Sequence, residues 1–169
     1  YKDENFTLSD NVLSNTLSNK DNETYGKNTI ENLEYKSTDS FGNEYIIKSE
    51  TAESNLENEN QLTLIKVSAL IYLLDKPPII ISSDFAKHDK SSFNTNFYDN
   101  VKINYDEVEV EANNLDLIYN NNLISLYNIN KAMNQDVELK ADKIDFDMLT
   151  KDVSINMYKD SEKIKLIYK

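Results

Sequence analysis

The stretch Val108-Glu109-Val110-Glu111-Ala112-Asn113-Asn114-Leu115-Asp116-Leu117-Ile118-Tyr119 decides the fold. Val108, Val110 and Ala112 alternate with Glu109 and Glu111, the period of a strand whose successive side chains point to opposite faces. After Asn113-Asn114 the apolar set moves to Leu115, Leu117 and Tyr119, so the alternation slips by one residue. A straight strand that slipped would turn its apolar side outward. A bend or bulge at the Asn pair prevents this, because Asn and Asp tolerate irregular backbone. The stretch therefore reads as a strand folded at a corner, with its apolar side kept inward.

The pattern recurs. Val137-Glu138-Leu139-Lys140-Ala141-Asp142-Lys143-Ile144-Asp145-Phe146 restarts it 29 positions later, with the slip between Ala141 and Ile144. Ile79-Ile80-Ile81-Ser82-Ser83-Asp84-Phe85-Ala86 begins 29 positions before Val108, and Tyr45-Ile46-Ile47-Lys48-Ser49-Glu50-Thr51-Ala52 begins 34 before Ile79. Repeats of this length are usually stacked units that share one continuous core. The expectation is an all-β domain of about four units stacked antiparallel. In each, a strand meets a polar corner, continues into a second strand and turns into a third.

The chain has 169 residues, 39% hydrophobic and 28% charged, which suits one globular domain. With only 2 Gly and 2 Pro, Asn carries much of the turn work, as in Asn120-Asn121-Asn122. Residues 1–29 are polar around Phe6, Leu8, Val12, Leu13 and Leu17, and read as an arm or tether; the folded part is expected over 30–169. Asn32 to Lys36 is a short strand, and Asp39-Ser40-Phe41-Gly42-Asn43 a turn in which Gly42 is free to take positive φ. Pro77-Pro78 belongs at a strand end or an edge, since proline cannot donate to a ladder.

The net charge of −12 speaks against nucleic acid, which needs a basic footprint, and against broad attraction to anionic headgroups. Without Cys there is neither a disulfide nor a thiolate metal site. No window approaches the run of about 18–20 apolar residues that spans a bilayer. Tyr1 in place of Met points to a trimmed or processed start. Catalytic signatures are absent: no phosphate loop, no dinucleotide fingerprint, no metal-spaced histidines. The single histidine, His88, lies in Ala86-Lys87-His88-Asp89-Lys90, which reads as an exposed polar turn. Asp145 and Asp147 alternate along one strand and could touch a cation, but a solvated face is the simpler account. No enzyme activity, metal or cofactor is expected.

Two features carry information. The first is the inward apolar set: Ile47, Leu64, Ile81, Phe97, Val101, Ile103, Val110, Leu117, Tyr119, Leu126, Leu139, Ile144, Phe146, Ile155 and Met157. From pattern alone an ordinary sandwich core is the simpler reading; the functional reading is a lengthwise trough that takes lipid tails. The second is the last strand, Lys163 to Lys169, with Ile164, Leu166 and Tyr168 on one face and Lys163, Lys165 and Ile167 on the other. A terminal strand has an unpaired edge that can template pairing with a partner. The strand around Leu33 and Tyr35 is the alternative edge.

The N-terminal strand, Phe41-Gly42-x-x-Tyr45 and the small-acidic corners Ser49-Glu50, Ser83-Asp84 and Ala141-Asp142 resemble the LptC family of lipopolysaccharide-export proteins. Asp99-Asn100-Val101 before Ile103 is similar to the Asn-Val turn-and-strand signature of the wider OstA-like group, which includes LptA. The likeness covers roughly 30–169, with fewer turn glycines than the family pattern and no visible N-terminal anchor. It implies an open, twisted antiparallel β-jellyroll in the periplasm, tethered to the inner membrane by a segment ahead of Tyr1. It further implies a carrier without enzyme activity, which accepts lipopolysaccharide from the inner-membrane ABC transporter at its N-terminal edge and passes it to an LptA-like bridge at its C-terminal edge. Two rivals remain at this point: an LptA-like soluble bridge, and an adhesive extracellular β-repeat with a dry core.

Overall fold

The slip in alternation is a property of five of the seven long strands, and it falls at one level across the described residues. The structure is a computed structural model and describes residues 27–55, 58–159 and 162–168; most of the expected arm, residues 1–26, lies outside them. Eleven strands form one open antiparallel sheet: β1 (Lys27–Thr38), β2 (Glu44–Asn55), β3 (Asn58–Tyr72), β4 (Ile79–Asp89), β5 (Thr95–Tyr105), β6 (Val108–Ile118), β7 (Leu123–Asn134), β8 (Val137–Lys140), β9 (Lys143–Asp147), β10 (Val153–Asn156) and β11 (Lys165–Tyr168). One 3₁₀ turn, Tyr119–Asn121, joins β6 to β7, and Asn122 closes it with φ 52°. The order is a meander from β1 to β8 with β11 outermost, while β9 pairs with β7 and then with β10. The four repeat segments are β2, β4, β6 and the β8/β9 pair. Each unit is thus one bent strand and its return; only in the last copy do the two arms of the bend become separate strands.

The bend is a crease made of left-handed residues on alternate strands: Asn32 on β1, Lys66 on β3, Asp99 and Asn100 on β5, and Asn128 on β7 all have φ between 52° and 61°. Opposite them the ladder loses register. Tyr98 pairs with Asn114 and Val101 with Ala112, so Asp99 and Asn100 together face the single Asn113. That is a bulge, which bends its strand and lets the same face stay inward on both sides. The Ser83 hydroxyl donates to the Phe85 carbonyl at 2.7 Å and holds the bend in β4. On the outer face a polar ladder follows the crease: Lys66 to Glu50 at 2.7 Å, Asn100 to Asp84 at 2.6 Å, and Asn128 to Asn114 at 2.8 Å.

The crease divides the sheet into two layers that fold onto each other. Aromatic contacts between strands that are not neighbours record the fold. Tyr35 of β1 meets His88 of β4 at 4.9 Å, Tyr45 of β2 meets Tyr119 at 5.0 Å, and Tyr105 of β5 meets Phe146 of β9 at 5.6 Å. The first hairpin is fixed by Asp39, whose carboxylate accepts from the Phe41 and Asn43 backbone N–H groups, each at 2.9 Å, and from the Tyr45 hydroxyl at 2.9 Å. Gly42 takes φ 85°, as the sequence expects. Pro77-Pro78 lies just ahead of β4, at the expected strand end.

Candidate functional site

Each layer carries one unbroken apolar row across the sheet. In the layer formed by the starts of the even strands, cross-strand partners run Tyr35–Ile47–Ala69–Ile81–Ile103–Val110–Ala132–Leu139–Leu166. In the other layer they run Ile30–Ala52–Leu64–Ala86–Phe97–Leu115–Leu126–Ile144–Ile155. Both rows exist because the crease resets the parity of β1, β2, β3, β4 and β6, whose row members are five residues apart, while β5 and β7 take up two further positions there and keep Phe97 with Ile103 and Leu126 with Ala132 inward six residues apart. Without it, one row would face water.

The fifteen residues expected to face inward all lie in or against this interior. Ile47, Leu64, Ile81, Phe97, Val101, Ile103, Val110, Leu117, Leu126 and Ile144 are buried; Tyr119, Leu139, Phe146, Ile155 and Met157 are half-buried and packed on them. Four of those five half-buried residues belong to the last four strands or their connections. The interior is therefore closed over the middle of the sheet and less covered at both ends, at Ile30, Leu33 and Tyr35 on β1 and at the C-terminal end. There β8 with β11 and β9 with β10 diverge like the arms of a fork, on either side of Ala141-Asp142. A groove of about 680 Å³ lies in this fork, with Leu139 and Met157 among its apolar lining.

The expected edge residues take up different situations. Among the described residues β11 has one neighbour, β8, and Ile164, Leu166, Ile167 and Tyr168 are exposed, Tyr168 by 77%. Leu166 stands opposite Leu139 and Tyr168 opposite Val137, so the face expected to continue the apolar row does so. β1 is the other end of the meander, and its Leu33 and Tyr35 are half-buried against the core.

One reading from the sequence needs correction. His88 is not in an exposed turn: it sits within β4 and is 2% exposed. Its Nδ1 shares a hydrogen bond with the buried Thr95 hydroxyl at 2.8 Å, and its Nε2 meets no partner among the described residues. Burial outweighs the nearby Asp89 and pushes its pKa down to about 4. The signal was available, since the slip applied to Ile79, Ile81 and Ser83 puts Ala86 and His88 inside. Asp145 and Asp147 each have partners of their own, and Asp145 pairs with Lys143 at 2.9 Å. Asp145 accepts from the Ser125 hydroxyl at 2.6 Å, and Asp147 accepts the Leu149 and Thr150 N–H groups at 2.8 Å. Among the described residues no cluster of acidic or histidine side chains could hold a metal ion. What the sequence did not disclose is the aromatic chain through Tyr35, Phe93, Tyr119 and Tyr45, with ring centroids 5.0 to 6.0 Å apart. Burial there raises the Tyr35 pKa to about 12 and that of Tyr45 further still, with Asp39 adding to the second. Both phenols are neutral packing groups.

An open antiparallel sheet creased into two layers, apolar inside from end to end and unclosed at its edges, defines an OstA-like β-jellyroll. The sequence matches the lipopolysaccharide-assembly, LptC-related family over residues 5–161, and the chain belongs to that family. Its work is therefore in lipopolysaccharide transport, and the family is periplasmic. Among solved structures it is similar to the crystal structure of LptH, the LptA-homologous periplasmic component of the lipopolysaccharide transport device of Pseudomonas aeruginosa. The TM-score is 0.54 at 10% identity, covering 74% of this chain and 94% of that one, a likeness of fold. No curated protein matches the chain. Among the described residues no helix is long and apolar enough to cross a membrane.

Proposed function

We propose that the protein takes lipopolysaccharide acyl chains between its two layers and hands them on at the fork, by binding alone and without catalysis. The observation that carries this reading is the pair of continuous apolar rows, sealed over the middle strands and open between β8–β11 and β9–β10. Each methylene moved from water into such an interior gains about 0.8 kcal/mol, so several acyl chains cannot cross water unshielded. A flexible side chain such as Met157 at the mouth suits chains of variable shape. The free edge of β11 receives an LptA-like bridge by strand pairing, which extends the Leu139–Leu166 row across the joint. The β1 edge, with Leu33 and Tyr35, faces the inner-membrane extraction complex, and the residues ahead of β1 act as the tether.

The fork also decides how to test lipid binding. A charge at Phe97 or Leu126 would be buried in the sealed region and unfold the domain. Met157→Asp and Leu139→Asp place it at the mouth instead. Both are expected to abolish crosslinking to lipopolysaccharide while thermal unfolding stays close to wild type. A folded variant that crosslinks at wild-type level would make the interior a dry core. The likeness to LptH keeps a second placement open, as a soluble bridge of the same chemistry; a hydrophobic segment upstream in the full-length protein would decide against it.

A further inference from the structure

At the groove in the fork, four lysines without an ion pair among the described residues gather beside an opening of the apolar interior. Lys131, Lys140, Lys163 and Lys165 line it together with Leu139 and Met157. The chain as a whole holds 18 basic against 30 acidic residues, whereas this groove is lined by four lysines against three acids, Glu138, Asp142 and Glu162. Several lysines elsewhere sit on carboxylates, Lys48 on Glu34 at 2.8 Å, Lys66 on Glu50 at 2.7 Å and Lys102 on Glu111 at 3.3 Å, while Lys76, Lys87 and Lys90 are unpaired among the described residues but line no groove with an apolar floor. None of the four groove lysines makes an ion pair among the described residues. The groove's own acids are engaged. Glu162 is held by Lys159 at 3.1 Å, Asp142 accepts the Tyr158 N–H at 2.8 Å, and Glu138 also has a partner.

We infer that this groove is a seat for the phosphate-bearing head of an amphiphile whose acyl chains lie in the interior. The inference rests on the lipid-binding reading above and adds the chemistry of the head. Leu139 is a member of the apolar row that runs back through Ala132 and Val110, so a chain following the row emerges beside the lysines. A volume of about 680 Å³ is within the range of about 300–1,000 Å³ of small-ligand sites. Lysine binds phosphate as a mobile point charge with three donors, which suits a head that must be released again. The sealed region offers no such place, because a dianion there would be stripped of water with no cation at hand. The fork thus holds both ends of the ligand, and the acidic remainder of the surface repels the head from other positions.

The test compares two variants of the full chain with equal change in net charge: Lys140→Gln/Lys163→Gln/Lys165→Gln in the groove, and Lys76→Gln/Lys87→Gln/Lys90→Gln away from it. The probes are a bisphosphorylated lipid A, the same lipid with its phosphates removed, and inorganic phosphate as competitor. The groove variant is expected to bind the phosphorylated lipid about tenfold more weakly or worse, with the dephosphorylated lipid and the distant variant within about twofold of wild type. Raising salt from roughly 50 to roughly 300 mM should weaken the wild type toward the phosphorylated lipid and leave the groove variant flat. Competition by inorganic phosphate would mark a seat for phosphate itself; its absence, with the lysine dependence kept, would mark a seat that takes phosphate only with its chains. Equal losses on both lipids, equal losses in both variants, or a groove variant that loses only an acidic bridge partner would overturn the inference. A wild type that binds neither lipid would overturn the lipid-binding reading beneath it.

Discussion

The first seven strands and the last four are built on the same repeat but treat the crease differently. From β1 to β7 each strand is 11 to 15 residues long and crosses the crease. The return strands β3, β5 and β7 carry their left-handed residues at Lys66, Asp99-Asn100 and Asn128, so each pairs with both arms of its bent neighbour and binds the two layers together. In the fourth copy the arms are the separate strands β8 and β9. The return splits as well: β10 follows β9 as far as Asn156, and β11 follows β8 from Lys165. At the crease between them the ladder is replaced by single bonds, from the Asp142 N–H to the Asn156 carbonyl at 3.0 Å and from the Tyr158 N–H to the Asp142 carboxylate at 2.8 Å. The difference teaches that the repeat specifies an inward face, whereas a return strand that crosses the crease is what seals it.

The comparison predicts unequal costs for truncating equivalent apolar side chains. Phe97→Ala in the sealed region should cost about 3–5 kcal/mol, read by chemical denaturation, and Leu166→Ala on the exposed β11 less than about 1 kcal/mol. Similar costs at the two sites would mean that the fork is closed in solution.

The next effect belongs to the sealed region alone. His88 is neutral when folded, with its pKa lowered to about 4 from an ordinary value of 6.5. As pH falls below 6.5 the unfolded chain takes up a proton that the folded chain refuses. Stability is therefore full above pH 6.5 and declines between 6.5 and about 4, by about 3 kcal/mol in all. Denaturation midpoints across this window should show the decline, and His88→Leu should flatten it. A decline unchanged in the variant would assign it to other groups.

A smaller effect sharpens the role of the crease. Asn128 takes φ 57°, which a β-branched residue resists, so Asn128→Val should cost about 1–2 kcal/mol and Asn128→Gly no more than about half a kcal/mol. Equal costs would place the effect in the bond that Asn128 donates to Asn114 and not in the backbone.

The smallest change in stability is expected at the fork. Deleting residues 163–169 removes a strand with one neighbour and exposed side chains, and should change stability by less than about 1 kcal/mol. The shortened domain should no longer bind its bridge partner, and Leu166→Pro should act in the same way if that N–H points to the partner. Pull-down at wild-type strength after truncation would move the docking edge to β1.

The parity slip made much of the interior legible in advance. Every residue placed inward by alternation, from Ile47 to Met157, is in or against the core, because period two leaves a side chain only two directions. His88 was misplaced for lack of applying the same slip to β4: its polar neighbours Lys87 and Asp89 resembled a turn, but they are the outward half of an alternating strand. The lysine groove was not legible at all. Lys131 and Lys140 lie on different strands, and Lys163 reaches them only because β11 turns back along β8.

By itself the sequence determined the class of the molecule: a β-repeat with one apolar face and polar creases at Ser49-Glu50, Ser83-Asp84, Asn113-Asn114 and Ala141-Asp142. These follow from local rules, because alternation and turn chemistry act within a few residues. Tertiary structure decided which parts of the interior are sealed and which are open. It brought Tyr45 against Tyr119 and left Met157 at a mouth. The reason is that closure depends on pairing between strands far apart in the chain, and the same apolar residue is core when a return strand covers its crease and lining when none does.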